Sequence, residues 1–517
     1  MNDSRSVPMK FISAHFDQLM LLPPDITEKI PEGHKCFFIR NIVRELDLSP
    51  LVSEYSEEGR PAYHPEIILS LLFCAYSDGI TSSRVIAQKT GTDVVYMYLA
   101  GMLEPDFRTI ADFRKDHLHQ IKAYFRRIVE IAVMAGVGSF AQISIDGSKI
   151  KANASKKRLK TEEKLDELIE DVEKQIADHL EKAVQTDEEE DKKYGEYADE
   201  TSKELAQIGQ ENFKKNIKEA KERLEKLHQA KKELRRRKEL MKAEYRENHQ
   251  VNLTDVEAVL MGTPQGFVVG YNGQLAVDND SKLIGAWDLS QERNDRKQLR
   301  PMVEETIDMT TRVPEKVMAD SDYHGLAHLE YFKERAIDGY IPEPVDKGSD
   351  ASGRAREKQF SKLDFEYDAE KNEYLCPAQQ RMQPRVRKIR YGRPGTAYKT
   401  AACAGCPLQE KCIASTNKSG YREFYRDDKE YLVEEMRAKM QKQESQRDYY
   451  QRQTSVEPVF ANLKFNLGFD RFRLRGLRKV KMEFGLMCIA HNLNRLFKIA
   501  MATQNQKLMS YLRTQGS

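Results

Sequence analysis

Residues 156 to 250 constrain this chain more than any other stretch. They are highly charged, poor in proline and rich in Glu and Lys. Phe213, Ile217, Ala220, Leu224, Leu227 and Leu234 follow alternating steps of four and three, broken by Lys231, and an earlier arm carries Leu165, Leu168, Val172, Ile176 and Ala183. Such spacing places the apolar side chains on one face of a helix. The acidic run from Asp187 to Asp191 and Gly195 separate the two arms. The pattern predicts an antiparallel, coiled-coil-like helical hairpin with no candidate chemistry, and its basic end, Lys231 to Lys238, reads as a solvated helix face.

Strand patterns lie on both sides of this hairpin, so it is an insertion. Before it, Gln142, Ser144 and Asp146 alternate with Ile143 and Ile145, which reads as a strand ending at Asp146-Gly147; Lys149 and Lys151 follow, alternating with Ile150 and Ala152. An Asp-Gly pair is equally a hairpin-turn signal. After the hairpin, Gly266 to Val277 reads either as a hairpin turning at Asn272-Gly273 or as one long kinked strand. Leu283 to Leu289 is a further strand holding the only tryptophan, Trp287, a helix is expected over 296–309, and Val317, Met318 and Ala319 lead into Asp320. Asp146 and Asp320 thus each close a strand, and neighbouring strands bring such ends together however distant they are in sequence.

Composition sets the remaining bounds. The 517 residues suffice for two to four domains. Lys+Arg 84 against Asp+Glu 82 leaves a net charge of +2, so nucleic-acid binding must be argued from local clusters. No span approaches the roughly 18 apolar residues of a membrane helix, and the N-terminus lacks the apolar core of a signal peptide. Seven cysteines do not form a secreted disulfide framework, which points to a soluble, reducing, cytoplasmic setting.

The first 135 residues read as helical: an apolar run over Pro65 to Tyr76 after the Gly59 to Pro61 turn, two short helices joined at Thr90-Gly91, and another from Pro105 with Asp106 or Thr109 as cap. Two short helices about a glycine turn suggest a helix-turn-helix; a plain bundle is the alternative.

The stretch Tyr449 to Lys464, Y-Y-Q-R-Q-T-S-V-E-P-V-F-A-N-L-K, sets Glu457 among an arginine, two tyrosines and a lysine. On a regular helix at about 100° per residue, Tyr450, Gln453, Glu457 and Lys464 share a face and Arg452 points roughly 140° away from Glu457. Pro458 predicts a kink or a fresh helix start there, which would swing Arg452 back.

Between Asp320 and Glu457, residues 345 to 430 hold a small hairpin around Phe365, Tyr367, Tyr374 and Leu375, then a basic stretch from Arg381 to Arg393 beside Tyr391. Cys376, Cys403, Cys406 and Cys412 also lie there. The C-x-x-C pair lets two thiolates share a zinc tetrahedron; four reduced cysteines in a small core are the alternative. Residues 464 to 481 are basic and interleaved with Phe465, Phe469 and Phe472, a composition suited to phosphate contacts through Arg471, Arg473 and Arg475. Met482 to Ile499 follows as an amphipathic helix, and the last fifteen or so residues read as a loose tail.

Together, I-D-G-S-K at Ile145 to Lys149, A-D-S-D-Y-H-G at Ala319 to Gly325, the Glu457 stretch, P-D-F-R-T at Pro105 to Thr109 and the closing helix resemble a bacterial insertion-sequence transposase of the DDE type. That resemblance implies an α/β, RNase-H-like mixed sheet in which Asp146, Asp320 and Glu457 hold two Mg2+ ions, with Mn2+ able to substitute. Asp322 competes with Asp320. In the family's tyrosine–arginine–glutamate–lysine signature, Tyr450, Glu457 and Lys464 are in register, Gln453 stands at the arginine position and Arg452 one place earlier.

Tyr450, Arg452, Lys464, Arg471, Arg473 and Arg475 are the expected DNA contacts. The resemblance implies double-stranded DNA with terminal inverted repeats and target DNA as partners, a homodimer on paired ends, no membrane, and association with the nucleoid. Where relatives form a DNA hairpin, Trp287, Tyr323 or His324 would meet a flipped base, or else only pack. The expected organisation is an N-terminal helical DNA-binding domain over 1–135 and a catalytic core over 136–155, 251–344 and 431–500. The helical insertion takes 156–250 and the Cys-rich, basic insertion 345–430, with one structural Zn2+ as a candidate. A transposon-derived DNA-binding protein without catalysis and a metal-dependent nuclease of the same fold are the competing functions.

Overall fold

The computed structural model describes residues 25–512 except 56–60, 195–199, 242–248, 345–359 and 414–418. Gly59 and Gly195, and the side chains of Ala183, Phe213 and the run from Asp187 to Asp191, lie outside the described residues. By packing, the chain falls into two units, Met1–Gln120 with Phe497–Ser517, and Ile121–Leu496.

The first unit is helical. Its apolar helix Pro65–Ser77 starts with proline at its first position, where the missing N–H costs nothing, and His64 Nδ1 accepts the Glu66 N–H. Every residue from Ile68 to Ser77 is buried, as expected of a helix surrounded by others. The two short helices are Ser83–Thr92 and Val94–Leu99, and their junction differs from the expectation. Gly91 lies inside the first helix; the break falls at Asp93, extended at φ −124°, whose carboxylate caps the second helix through the Val95 N–H. Capping by a short acceptor, rather than glycine freedom, makes the turn. Asp106 caps Phe107–Asp116, accepting the Arg108 N–H at 2.8 Å. The C-terminal residues are not all loose tail: Asn505 caps a short helix, Gln506–Ser510, with Leu508 and Leu512 buried.

The second unit is built on a mixed sheet. Its strands are β1 (Gln142–Lys151), β4 (Val259–Thr263), β5 (Gly266–Asp278), β6 (Ile284–Ser290), β7 (Lys316–Ala319) and β8 (Asp338–Tyr340), the short pair β2 (Leu159–Lys160) and β3 (Val251–Asn252) lying apart at the base of the helical hairpin. The order is β4-β5-β1-β7-β8, with β6 also on β5. β5 is antiparallel to β1, β4 and β6, whereas β7 is parallel to β1 and β8 to β7. This is the α/β mixed sheet expected of an RNase-H-like core, with an all-helical N-terminal part.

Two strand expectations are corrected. β1 does not end at Asp146-Gly147 but runs through to Lys151, because β5 pairs with it over its whole length. Asn272-Gly273 is no hairpin turn: both residues lie inside the single long strand β5, opposite Lys149 and Ser148. Gly273 is required by packing, since a Cβ there would sit 2.9 Å from Phe484 Cζ. Phe484 belongs to the helix Leu477–Thr503, which covers the sheet; its Asn492 side chain both accepts from the Ile284 N–H and donates to the Ile284 carbonyl. Trp287 is buried between Phe125 and Phe484.

The insertion between β1 and β5 is a helical hairpin, Glu162–Tyr194 and Glu200–Glu239, joined along Leu165, Ile169, Val172, Leu227, Ala230 and Leu234. Its basic end is internally paired, with Lys231 on Asp166 and Arg235 and Lys238 on Glu162. The second insertion is a five-stranded antiparallel sheet, ordered β13-β12-β11-β10-β9, from β9 (Glu366–Asp368), β10 (Glu373–Leu375), β11 (Arg381–Arg390), β12 (Arg393–Lys399) and β13 (Glu423–Asp427). Phe365, Tyr374, Met382, Tyr398 and Phe424 form its small core.

Candidate functional site

The parallel pairing of β1 with β7 sets Ile145 opposite Ala319. Asp146 and Asp320 are the next residues on strands about 4.8 Å apart, so the two carboxylates become neighbours by register alone. Asp320 directly follows β7 and caps the next turn, accepting the Asp322 N–H at 2.6 Å, while Asp322 itself is exposed.

Glu457 arrives on the helix Gln443–Ala461, which packs across β1, β5 and β7. No fresh helix starts at Pro458: the helix continues through the proline, and a π-helical segment, Asn462–Asn466, follows it. Arg452 nevertheless reaches Glu457. Its guanidinium donates from Nη1 to Asp146 Oδ2 at 2.9 Å and from Nη2 to Glu457 Oε1 at 3.2 Å. A planar fork on a long stem spans what helical phase alone sets apart. Arg452 is buried and lies over the Tyr449 ring, whereas Gln453 and Tyr450 are exposed. The arginine that touches the acids is therefore Arg452.

Lys464 donates to Ser148 Oγ at 2.6 Å and to the Lys149 carbonyl at 3.0 Å, which pins the π segment to β1. Burial holds its ammonium below the ordinary lysine range. Burial also pushes the Asp146 carboxyl up to about 6; Arg452 opposes this, and the neighbouring Asp320 and Asp295 charges add to it. The site carries more negative charge than its one buried arginine balances.

Asp295 is the site residue that pattern reading missed. It lies in the polar loop before the helix Leu299–Thr310, where no periodicity marks it. Its carboxylate is buried and accepts from Asn272 Nδ2 at 2.5 Å, Gln274 Nε2 at 2.6 Å and Lys149 Nζ at 3.4 Å. Gln274 in turn accepts from Tyr323 Oη at 2.5 Å. A continuous chain of bonds thus runs from β1 through β5 to the turn after Asp320. Gly147 makes room for it, since a Cβ there would fall 2.2 Å from Gln274 Nε2 and 2.5 Å from Asp295 Oδ1. The glycine beside Asp146 serves close packing rather than a turn. Tyr323 and Trp287 are fully packed, so neither presents a face to a flipped base; His324 is partly exposed.

Arg471, Arg473 and Arg475 are exposed and alternate with the inward-facing Phe472 and Leu474. They line the far end of β1, where Lys151 pairs with the segment around Arg471. At about 3.3 Å per residue this lies roughly 16 Å along the strand from Asp146. Arg475 also donates to the Asn153 carbonyl.

Cys376, Cys403, Cys406 and Cys412 are free thiols around one pocket beside Phe365 and Met382. Burial raises the Cys412 thiol, with the other three close enough to act on it. Among the described residues, however, no three His, Cys, Asp or Glu side chains form a ready metal shell, so the zinc reading gains no support. Cys36, Cys74 and Cys488 are buried. No helix among the described residues is long and apolar enough to cross a membrane.

Comparison with known families gives two matches, neither of which spans Asp146 or Asp320. The transposase DDE domain matches residues 375–497, a span that includes Arg452, Glu457 and Lys464, and a transposase domain (DUF772) matches residues 24–116. No curated protein and no solved structure matches the chain.

Proposed function

We propose, from the premise that the chain belongs to the DDE transposases of insertion sequences, that it cuts the ends of its element and joins them to target DNA at Asp146, Asp320 and Glu457. The observation that carries this reading is the Arg452 fork, which gathers carboxylates from a strand and a helix 311 positions apart in the chain (457 − 146). The family generally uses divalent metal ions. Among the described residues no three His, Cys, Asp or Glu side chains, these acids included, stand as a ready metal shell. Their chemistry nonetheless suits divalent ions: three hard carboxylates, with Asp146 raised by burial and by the neighbouring Asp320 and Asp295 charges, a strain that a cation would relieve. When bound, two magnesium ions supply activation of the attacking oxygen and charge for the leaving one.

The chain's own residues do the rest. Asp146, Asp320 and Glu457 would hold the ions. Arg452 keeps Asp146 and Glu457 aligned and is close enough to meet a phosphate oxygen once DNA enters. Lys464 fixes the helix end against β1. The Asp295–Gln274–Tyr323 chain keeps the Asp320 turn from drifting. Exposed Tyr450 and the Arg471, Arg473 and Arg475 row supply phosphate and sugar contacts that position the duplex without reading it. The same site would first hydrolyse a strand at the element's end and then set the freed 3′-hydroxyl against a target phosphate. Two copies on paired ends complete the reaction.

The test incubates the full chain with magnesium and a duplex carrying the element's terminal inverted repeats. Nicking at the repeat ends followed by strand joining, both lost on chelation and in Asp146→Asn, is expected. Nicking without joining would leave a nuclease; binding without nicking would leave a DNA-binding protein; nicking that survives Asp146→Asn would remove these acids from the mechanism.

A further inference from the structure

The sheet of the second insertion carries a feature that the three-acid site does not use. β11 and β12 form a two-stranded ribbon closed by the two-residue turn Tyr391-Gly392, both at positive φ (54° and 77°), the geometry that tight antiparallel ribbons require. β10 pairs with β11 only at Met382 and Arg381. Among the described residues nothing pairs with the outer edge of β11 from Gln383 to Arg390, and every one of those residues is exposed. From Arg381 to Arg393 the ribbon holds six cations and no acid: Arg381, Arg385, Arg387, Lys388, Arg390 and Arg393.

Four of these are committed within the protein. Arg381 pairs with Glu373, Arg387 with Asp428, Lys388 with Glu423, and Arg393 with Glu330 and Asp427. Arg385 and Arg390 have no carboxylate partner among the described residues. At the tip stand two large apolar side chains, Ile389 at 79% and Tyr391 at 87% exposure. Edge protection alone accounts for charges, a proline and a bulge on an outer strand. It does not account for an isoleucine and a tyrosine at the outermost point, where each costs hydration free energy unless something covers it. Arginine beside an apolar wedge on a two-stranded ribbon matches duplex DNA: its major groove admits such a ribbon, and minor-groove binders insert apolar side chains between base steps.

We infer that the β11–β12 ribbon is a separate DNA-contacting arm, with Arg385 and Arg390 on phosphates and Tyr391 and Ile389 against bases or sugars. This rests on the transposase reading only in taking DNA as the partner; it requires no cleavage.

The test is fluorescence anisotropy of the full chain on a labelled 30-base-pair duplex of arbitrary sequence, between about 50 and 200 mM salt. The variants are Arg385→Gln with Arg390→Gln, and separately Tyr391→Ala. All three side chains are exposed, so the fold is expected to persist, checked by an unchanged melting curve. Each lost phosphate contact flattens the slope of log Kobs against log salt by about 0.9. The double variant should therefore lose about 1.8 from the slope and, with other terms unchanged, about 60-fold in affinity at 0.1 M salt. Tyr391→Ala should weaken binding several-fold with the slope intact. A double variant whose slope matches the parent would overturn the inference, even if nicking is normal. Ribbon-dependent binding by a chain that never nicks would overturn the catalytic proposal and leave this one standing.

Discussion

Gly147→Ala probes the site without touching any acid. Gly147 is not at positive φ, so alanine carries no backbone strain there. The methyl would sit 2.2 Å from Gln274 Nε2 and 2.5 Å from Asp295 Oδ1, both on buried side chains. To yield, Gln274 must give up its 2.6 Å bond to Asp295 and the 2.5 Å bond it accepts from Tyr323. A buried carboxylate and a buried phenol are then each short of a partner, at about 1–3 kcal/mol apiece. The expected loss is roughly 2–6 kcal/mol, a large part of the about 5–15 kcal/mol that holds a domain together. At roughly 2–4 °C per kcal/mol for a larger domain, the melting midpoint should fall by about 4–24 °C. Gly262→Ala is the control: it lies on β4 of the same sheet and its Cβ would meet only Phe267 Cε1, at 4.0 Å. It should melt within about 1–2 °C of the parent. Calorimetry on the three proteins, with nicking assayed where all remain folded, decides the matter. If Gly147→Ala melts with the control and nicks at the parental rate, the Asp295 chain does not hold this site.

Three further outcomes follow from the same contacts. Arg452→Gln should cut nicking by about 10²- to 10³-fold, and Arg452→Lys should rescue little of it, because an ammonium cannot span Asp146 and Glu457 as a fork does; a fully active lysine variant would show that charge alone suffices. Tyr323→Phe removes only the bond to Gln274 and should cost about 1 kcal/mol in urea unfolding, with an additive effect in Gly147→Ala smaller than the sum of the two. Glu330 is held down to about 2 by its hydrogen bonds to Arg393 and Lys429. A carboxylate depressed on folding stabilises fully above its unfolded value of 4.5 and loses that contribution as pH falls toward 2. After allowance for solvent screening this is on the order of 1–2 kcal/mol, and Glu330→Gln should flatten the melting-temperature profile across that window.

Much of this arrangement is legible in the linear chain because it rests on local periodicity. The four–three spacing of Leu165, Val172, Leu224 and Leu227 is a helical face wherever it occurs, and those residues do form the hairpin's seam. Alternation around Ile143 and Ile145 is a half-buried strand by the same logic. Asp106 before Phe107–Asp116 is a cap because its carboxylate needs only the next turn's N–H groups. Two-residue turn signals misled at Asp146-Gly147 and at Asn272-Gly273, where glycine is demanded by a neighbour approaching from elsewhere in the chain: Asp295 and Gln274 in one case, Phe484 in the other.

What the sequence determined by itself, then, is most of the elements, the two insertions, and the placing of Asp320 and Glu457 near element ends, while Asp146 lies inside β1. Tertiary structure alone decided which groups those acids meet. Parallel register between β1 and β7 makes Asp146 and Asp320 neighbours, and a helix laid across them lets Arg452 bridge from Asp146 to Glu457 against its helical phase. It also turned Asp295, an unmarked acid in a polar loop, into the buried anchor of the site. The physical reason is range. Periodicity and capping act within a turn or two of backbone, whereas a buried carboxylate must be satisfied by whatever donors folding brings to it, and in this chain those donors come from two strands and a helix far apart in sequence.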